Sequence, residues 1–113
     1  MIRVHGVVRL THEPVLKDVG TTKVCTFQVA LNENRKNAQG EYQSIGHFFN
    51  CVLWDTGAEK FVETMKKGDQ FFIEDGELRD ERWTDKDGTN HKNVVIRVNR
   101  FVKPARTAQT EDS

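Results

Sequence analysis

Along most of this chain apolar residues recur at every second position, and in one stretch they switch to a helical period. In residues 2–10, Ile2, Val4, Gly6, Val8 and Leu10 share one face, while Arg3, His5, Val7 and Arg9 share the other. That is the pattern of a half-buried strand, and Gly6 within it predicts a bulge or bend. Residues 22–31 alternate again, with Cys25, Phe27, Val29 and Leu31 on one face. A third strand is expected over 48–54, with Phe49, Cys51 and Leu53 inward and Phe48, Asn50, Val52 and Trp54 outward. Over 57–67 the period changes: Ala58, Phe61, Val62 and Met65 fall at i, i+3, i+4 and i+7, one face of a short helix. Lys66 and Lys67 suit its C-terminal end and Gly68 its stop. Residues 70–74 and 77–83 read as a fourth strand interrupted at Asp75-Gly76. Lys86-Asp87-Gly88 signals a hairpin turn before a last strand over 93–102. Residues 11–21, with Pro14, Asp18 and Gly20, read as a turn region, and the polar run 32–46 as a long hairpin loop.

Three strands, a helix and two more strands predict an all-β fold, a five-stranded OB-fold barrel with one short helix between strands 3 and 4. A chain of 113 residues points to one domain. The barrel is expected over 1–103 and a short flexible tail over 104–113. Cys25 and Cys51 lie in apolar stretches and read as reduced core residues. No apolar leader-like run opens the chain and no stretch approaches membrane-spanning length, so the expected location is the cytoplasm.

The charge balance is zero, with 17 basic and 17 acidic residues, which counts mildly against a nucleic-acid partner. Its distribution is uneven. Residues 89–106 hold five cations (Lys92, Arg97, Arg100, Lys103 and Arg106) and no acid, whereas 69–87 hold eight acids against three cations.

A series of short matches runs in order through residues 4–102. It comprises Phe49-Asn-Cys-Val-Leu-Trp54, Ala58-Glu59, Lys67-Gly68-Asp69, Ile73-Glu74, Gly76-Glu-Leu-Arg79, Trp83-Thr-Asp and Asp87-Gly88. In these the chain resembles the bacterial, phage and mitochondrial single-stranded DNA-binding protein family. The resemblance implies a sequence-independent binder of single-stranded DNA acting in replication, recombination or repair, associated with the nucleoid, and assembled as a homotetramer or homodimer. It also implies that aromatics on the third strand and at the base of the last hairpin stack on bases; these are Phe48, Trp54 and Trp83 here. The chain departs from the family in three places. Asn34 or its neighbour stands where a loop Trp is frequent, beside Arg35 and Lys36, so one stacking platform is expected to be missing. Asp75 is an extra residue before Gly76, which predicts a bulge. The sequence stops at Thr110-Glu-Asp-Ser113, acidic but without the terminal aromatic through which the family's tail recruits replication and repair proteins. Tail-borne recruitment lacks its usual terminal aromatic here, replication or repair proteins stay open as partners, and the short form fits a phage or plasmid member or a truncated chain.

The residues themselves point the same way. An outward Trp is costly unless something covers it, so Trp54 and Phe48 mark a binding site or a subunit interface. Trp83 lies between Arg82 and Lys86, an arrangement suited to a base beside phosphates. Phosphate contacts are expected from Arg35 and Lys36 in the polar run, Arg79 and Arg82 in the fourth strand, and Lys86 and Lys92 in the last hairpin. Arg3 and Arg9 add charge on the first strand. A solvated surface charge is the plain alternative for each of them. His5, His12, His47 and His91 show no metal-ligand spacing, and neither cysteine has a CxxC or Cys/His companion. Nucleotide-loop and nucleophile-elbow motifs are also absent, so no enzyme, metal or cofactor is expected. Two other readings stay open: a primosomal-type OB module that binds a replication protein, and an RNA-binding OB domain.

Overall fold

The computed structural model describes residues 1–104. Its elements are β1 (Arg3–Leu10), β2 (Val15–Val19), β3 (Thr22–Lys36), β4 (Tyr42–Trp54), α1 (Asp55–Thr64), β5 (Gln70–Thr84) and β6 (Asn90–Val102). The strands pair in the order β1-β5-β6-β4-β3-β2, and β1 also pairs with β3, so the sheet closes into a ring. The β4–β6 pairing is parallel, with Asn50 opposite Val95, Cys51 opposite Ile96 and Val52 opposite Arg97; the other pairings are antiparallel. This is the expected OB-type barrel. α1 lies between the third and fourth of its five long strands, β1, β3, β4, β5 and β6.

Closure turns alternation into a core. Leu10, Cys25, Phe27, Val29, Cys51, Leu53, Phe71, Ile73 and Val98 are buried inside the ring. α1 covers one end of it with Ala58 and Phe61, both fully buried. The Phe61 ring stacks on Phe27 at 4.2 Å between centroids and meets Phe71 and Phe101 edge-on at 5.3 and 5.0 Å. Such aromatic pairs add to the burial of their apolar area. The chain turns from β4 into α1 at Asp55, whose φ of 59° lies in the left-handed region that Asp tolerates better than most residues. Cys25 and Cys51 are free and buried, and burial pushes their thiols up to about 11 and about 12.

One irregularity joins the two positions expected to bend. Between Val4 opposite Gly76 and Gly6 opposite Ile73, β5 carries one residue more than β1, and the β5–β6 register shifts on either side of Asp75. The extra residue lies on β5, at Glu74-Asp75, and β5 runs on through it rather than breaking. The next residue must be glycine for steric reasons: a Cβ on Gly76 would sit 2.9 Å from Ile96 Cγ2 and 3.2 Å from both Ile73 and Val4.

Other expectations are corrected. The region 11–21 is not only a turn, since β2 forms a hairpin with β3 there, Val15 opposite Thr26 through Val19 opposite Thr22. Its residues are exposed on both faces, so it carries no alternation to read. The polar run 32–46 is a paired arm rather than a loop, with β3 and β4 staying in register out to Lys36 opposite Tyr42. A two-stranded ribbon satisfies its backbone through its own ladder, whatever its side chains. For the same reason β6 starts at Asn90, ahead of the expected 93. α1 starts earlier than expected and ends at Thr64; Lys66–Asp69 form a separate turn in which Gly68 adopts φ 91°. Phe49 shares the inward face of Cys51 and Leu53 yet stays exposed, because it sits at the open end of the barrel. The expected tail falls largely on 105–113, outside the described residues.

The two arms are closed by one device. Asn37 Oδ1 accepts the N–H groups of Gln39 and Glu41 at 2.9 Å, and Asp85 Oδ1 accepts those of Asp87 and Thr89 at 2.9 Å. The glycine three residues after each, Gly40 or Gly88, takes φ 82° or 83°. A turn followed by a left-handed glycine is a favoured three-residue hairpin closure. Two outcomes follow for stability. Phe61→Ala should cost about 3–5 kcal/mol, and Gly76→Ala about 1–3 kcal/mol through overpacking. Urea unfolding checks both; an unchanged midpoint for Phe61→Ala would contradict its place at the centre of the core.

Candidate nucleic-acid interface

Strand pairing places side chains from three strands on one outer face. On β4 the outward set is Asn50, Val52 and Trp54; on β6 it is Asn93, Val95 and Arg97; on β5 it is Glu77, Arg79, Glu81 and Trp83. Val52 lies opposite Arg97, Arg97 opposite Glu77, Val95 opposite Arg79, and Trp83 opposite His91, so the sets join into one surface. Trp54, 37% exposed, shares a groove of about 200 Å³ with Val52, Arg79, Val95 and Arg97. A second groove of about 360 Å³ adjoins it through Val52, Glu81 and Val95, and reaches Asn50 and Asn93.

The platform at Trp83 is built in two layers. Its ring, half exposed, stacks on His91 at 5.2 Å and 17°. His91 Nε2 lies 2.6 Å from Asp85 Oδ2, and Asp85 in turn holds the turn of the β5–β6 arm. The His91 hydrogen bond is the main reason the Asp85 carboxyl sits below its ordinary range. Arg82 and Lys92 complete a groove of about 420 Å³ around this pair.

Phe48 is 60% exposed at the base of the β3–β4 arm, on the face of Trp54. Lys36 shares that face, whereas Arg35, one residue away, points to the other. Lys86 lies in the turn of the β5–β6 arm.

The cations are mostly engaged already. Arg35 pairs with Glu33 at 3.1 Å, Arg79 with Glu77 at 3.3 Å and Arg82 with Asp80 at 2.9 Å, each two residues along its own strand. Hydrogen bonds hold the acids of these pairs below the usual carboxylate range: His47, then Arg35, for Glu33; Asn99, then Arg79, for Glu77; and Arg82 for Asp80. The exposed Arg35–Glu33 and Arg82–Asp80 pairs are weak and screened by salt, so a phosphate can exchange for the carboxylate, whereas Glu77 is largely covered and holds Arg79 more firmly. Arg3 and Arg9 are not brought to either groove beside Trp54 and Trp83. Arg3 binds Asp75 at 2.7 Å, and Arg9 donates to the Gly68 carbonyl at 2.8 Å.

Two residues of this face were missed as site residues. The Arg97 side chain makes no ion pair or hydrogen bond among the described residues, although it lies beside Trp54. Its outward direction was legible, since it alternates with buried Ile96 and Val98. The histidine spacing gives His91 no role; its place behind Trp83 follows only from the register of the β5–β6 arm. Among the described residues no group of His, Cys, Asp and Glu has the arrangement of a metal site, and no helix is long and apolar enough to cross a membrane.

The sequence pattern of the Single-strand binding protein family matches residues 1–103. The single-stranded DNA-binding protein of Deinococcus radiodurans is 36% identical over 90 residues, covering 80% of this chain and 29% of that protein. That of Aquifex aeolicus is 35% identical over 89 residues, covering 78% of this chain and 59% of that protein. The chain thus spans well under two thirds of the length of these two relatives. Among solved structures, the Plasmodium falciparum SSB complex with ssDNA superposes with a TM-score of 0.80 at 20% identity, over 93% of this chain and 96% of that one. At that identity the match speaks to the fold, and it agrees with the barrel described above. With nearly the whole described chain inside the matching pattern, this protein belongs to the Single-strand binding protein family.

Proposed function

We propose that this protein binds single-stranded DNA without sequence preference and protects it during replication, recombination or repair. The observation that carries this reading is the outer face on which Trp54, Phe48 and Trp83 lie together with Arg79 and Arg97. Every base has a π-face, so exposed rings accept any sequence, and cations between them meet the phosphates. For OB-fold binders of this class such stacking is known to be worth about 1–3 kcal/mol per base. Trp54, Phe48 and Trp83 serve as base platforms. Arg79, Arg97, Lys36 and Lys86 serve as phosphate contacts, with Arg35, Arg82 and Lys92 reaching from the far faces of their arms. Arg3 and Arg9 contribute charge from β1 at longer range. The role needs binding and release alone, with no bond made or broken.

The same reading includes a homotetramer or homodimer working in the cytoplasm on nucleoid DNA. What supports assembly is the apolar mouth of the barrel, a hollow of about 270 Å³ lined by Val4, Val7, Leu31 and Phe49 among others. An exposed apolar surface of this kind is usual where subunits meet.

Titration with poly(dT) should quench the tryptophan fluorescence. Trp54→Ala and Trp83→Ala should each weaken binding by about 1–3 kcal/mol. No quenching and no mobility shift at low salt would sink the proposal. Affinity should also fall with salt through counterion release, and Arg97→Ala should reduce the slope of log K against log salt by about 0.7. A slope identical to that of the unaltered protein would remove Arg97 from the phosphate contacts.

A further inference from the structure

Tyr42 is the most exposed aromatic ring of the barrel and its arms, at 74%. It opens β4 at the outer end of the β3–β4 arm, and its side chain makes no ring contact or hydrogen bond among the described residues. Such a ring in water has a cost that no ring or hydrogen-bond contact among the described residues offsets.

Its direction is fixed by the ladder. β3 and β4 pair from Val24 opposite Trp54 to Lys36 opposite Tyr42 without a register shift. Side chains alternate strictly along such a strand, so residues 42, 48 and 54 point to one face. Tyr42, Phe48 and Trp54 therefore form a row at i, i+6 and i+12. At about 3.3 Å rise per residue, adjacent rings sit about 20 Å apart along the strand. Lys36, directly across from Tyr42, shares this face and makes no ion pair among the described residues.

The arm that carries Tyr42 is ordered. Asn37 N–H donates to the Glu41 carbonyl at 2.8 Å and Gly40 N–H to the Asn37 carbonyl at 3.0 Å, in addition to the two bonds accepted by the Asn37 side chain. The ring thus stands one residue beyond a closed turn, on paired backbone.

We propose that Tyr42 is a further base-stacking platform, with Lys36 as its phosphate contact, extending the strand's track from the barrel out along the β3–β4 arm. This rests on the reading of the outer face as a binding site for single-stranded DNA. It adds a subsite that a short strand held at Trp54 and Trp83 does not reach.

The test is a length comparison. Tyr42→Ala and Tyr42→Phe are titrated at low salt with dT oligomers of about 4 and about 16 nucleotides, the ends of the site-size range of one OB barrel. Light scattering accompanies each titration. Tyr42→Ala should bind the longer oligomer about tenfold more weakly and the shorter one unchanged. Tyr42→Phe, which keeps the ring, should match the unaltered protein on both. Unchanged binding of the longer oligomer by Tyr42→Ala would overturn the platform. So would equal loss on both lengths, a changed subunit count, or a Tyr42→Phe variant as weak as Tyr42→Ala. If the unaltered protein binds neither oligomer, the reading of the whole face falls, an outcome distinct from failure at Tyr42 alone.

Discussion

The short parallel ladder between β4 and β6, from Asn50 opposite Val95 to Val52 opposite Arg97, is the contact on which the other features depend. It joins the strand that leads into α1 to the last strand of the chain, and so commits every alternating residue to a side. Inward, it gives Phe61 a cavity bounded by Phe27, Phe71 and Phe101 to fill. Outward, it brings Trp54 of β4 beside Arg97 of β6 and Arg79 of β5, residues separated by 25 to 43 positions in the chain. Without that pairing β1 would still join β3 to β5, but the ring would stay open between β4 and β6, and the outer face would be split there.

Beyond the barrel both hairpins run on as arms, and an Asx residue with a left-handed glycine three positions later closes each. The local code is brief: Asn37-x-x-Gly40 and Asp85-x-x-Gly88. Each closure frees the paired strands behind it to present rings and cations at set intervals. The arms therefore act as extensions of the barrel's register rather than as tethers. Trp83 is held by its own arm in this way, through Asp85 and the stacked His91.

Legibility in the sequence followed burial. Cys25, Phe27 and Val29, or Ala58, Phe61 and Met65, show their period because one face of their element is apolar. The irregularity at Gly6 and Asp75 could be read because a glycine stands inside an alternating strand and an extra residue stands before Gly76. Where neither face is buried, nothing in the pattern distinguishes a paired ribbon from a loop. That is why β2, the β3–β4 arm and the start of β6 were not recognised. Tyr42 and His91 were lost with them, since a residue's face is undefined until its strand is known. Phe49 shows the converse, an inward parity that ends in solvent because the barrel has a mouth. The pairing of Arg35, Arg79 and Arg82 with acids two residues before them was written in the sequence, but alternation alone does not say that such neighbours will close on each other.

Those i, i+2 pairs bear on timing. In the binding role proposed above, a phosphate arriving at Arg79 or Arg82 displaces a carboxylate that stays tethered on the same strand, two residues away. The displaced acid remains at high local concentration as an internal competitor, ready to reclaim its partner whenever the phosphate loosens. Residence at each contact is thereby shortened, while the rings, which have no such rival, keep their hold. On the proposed reading, a strand held this way is released piecewise, one phosphate at a time, without the whole grip opening at once.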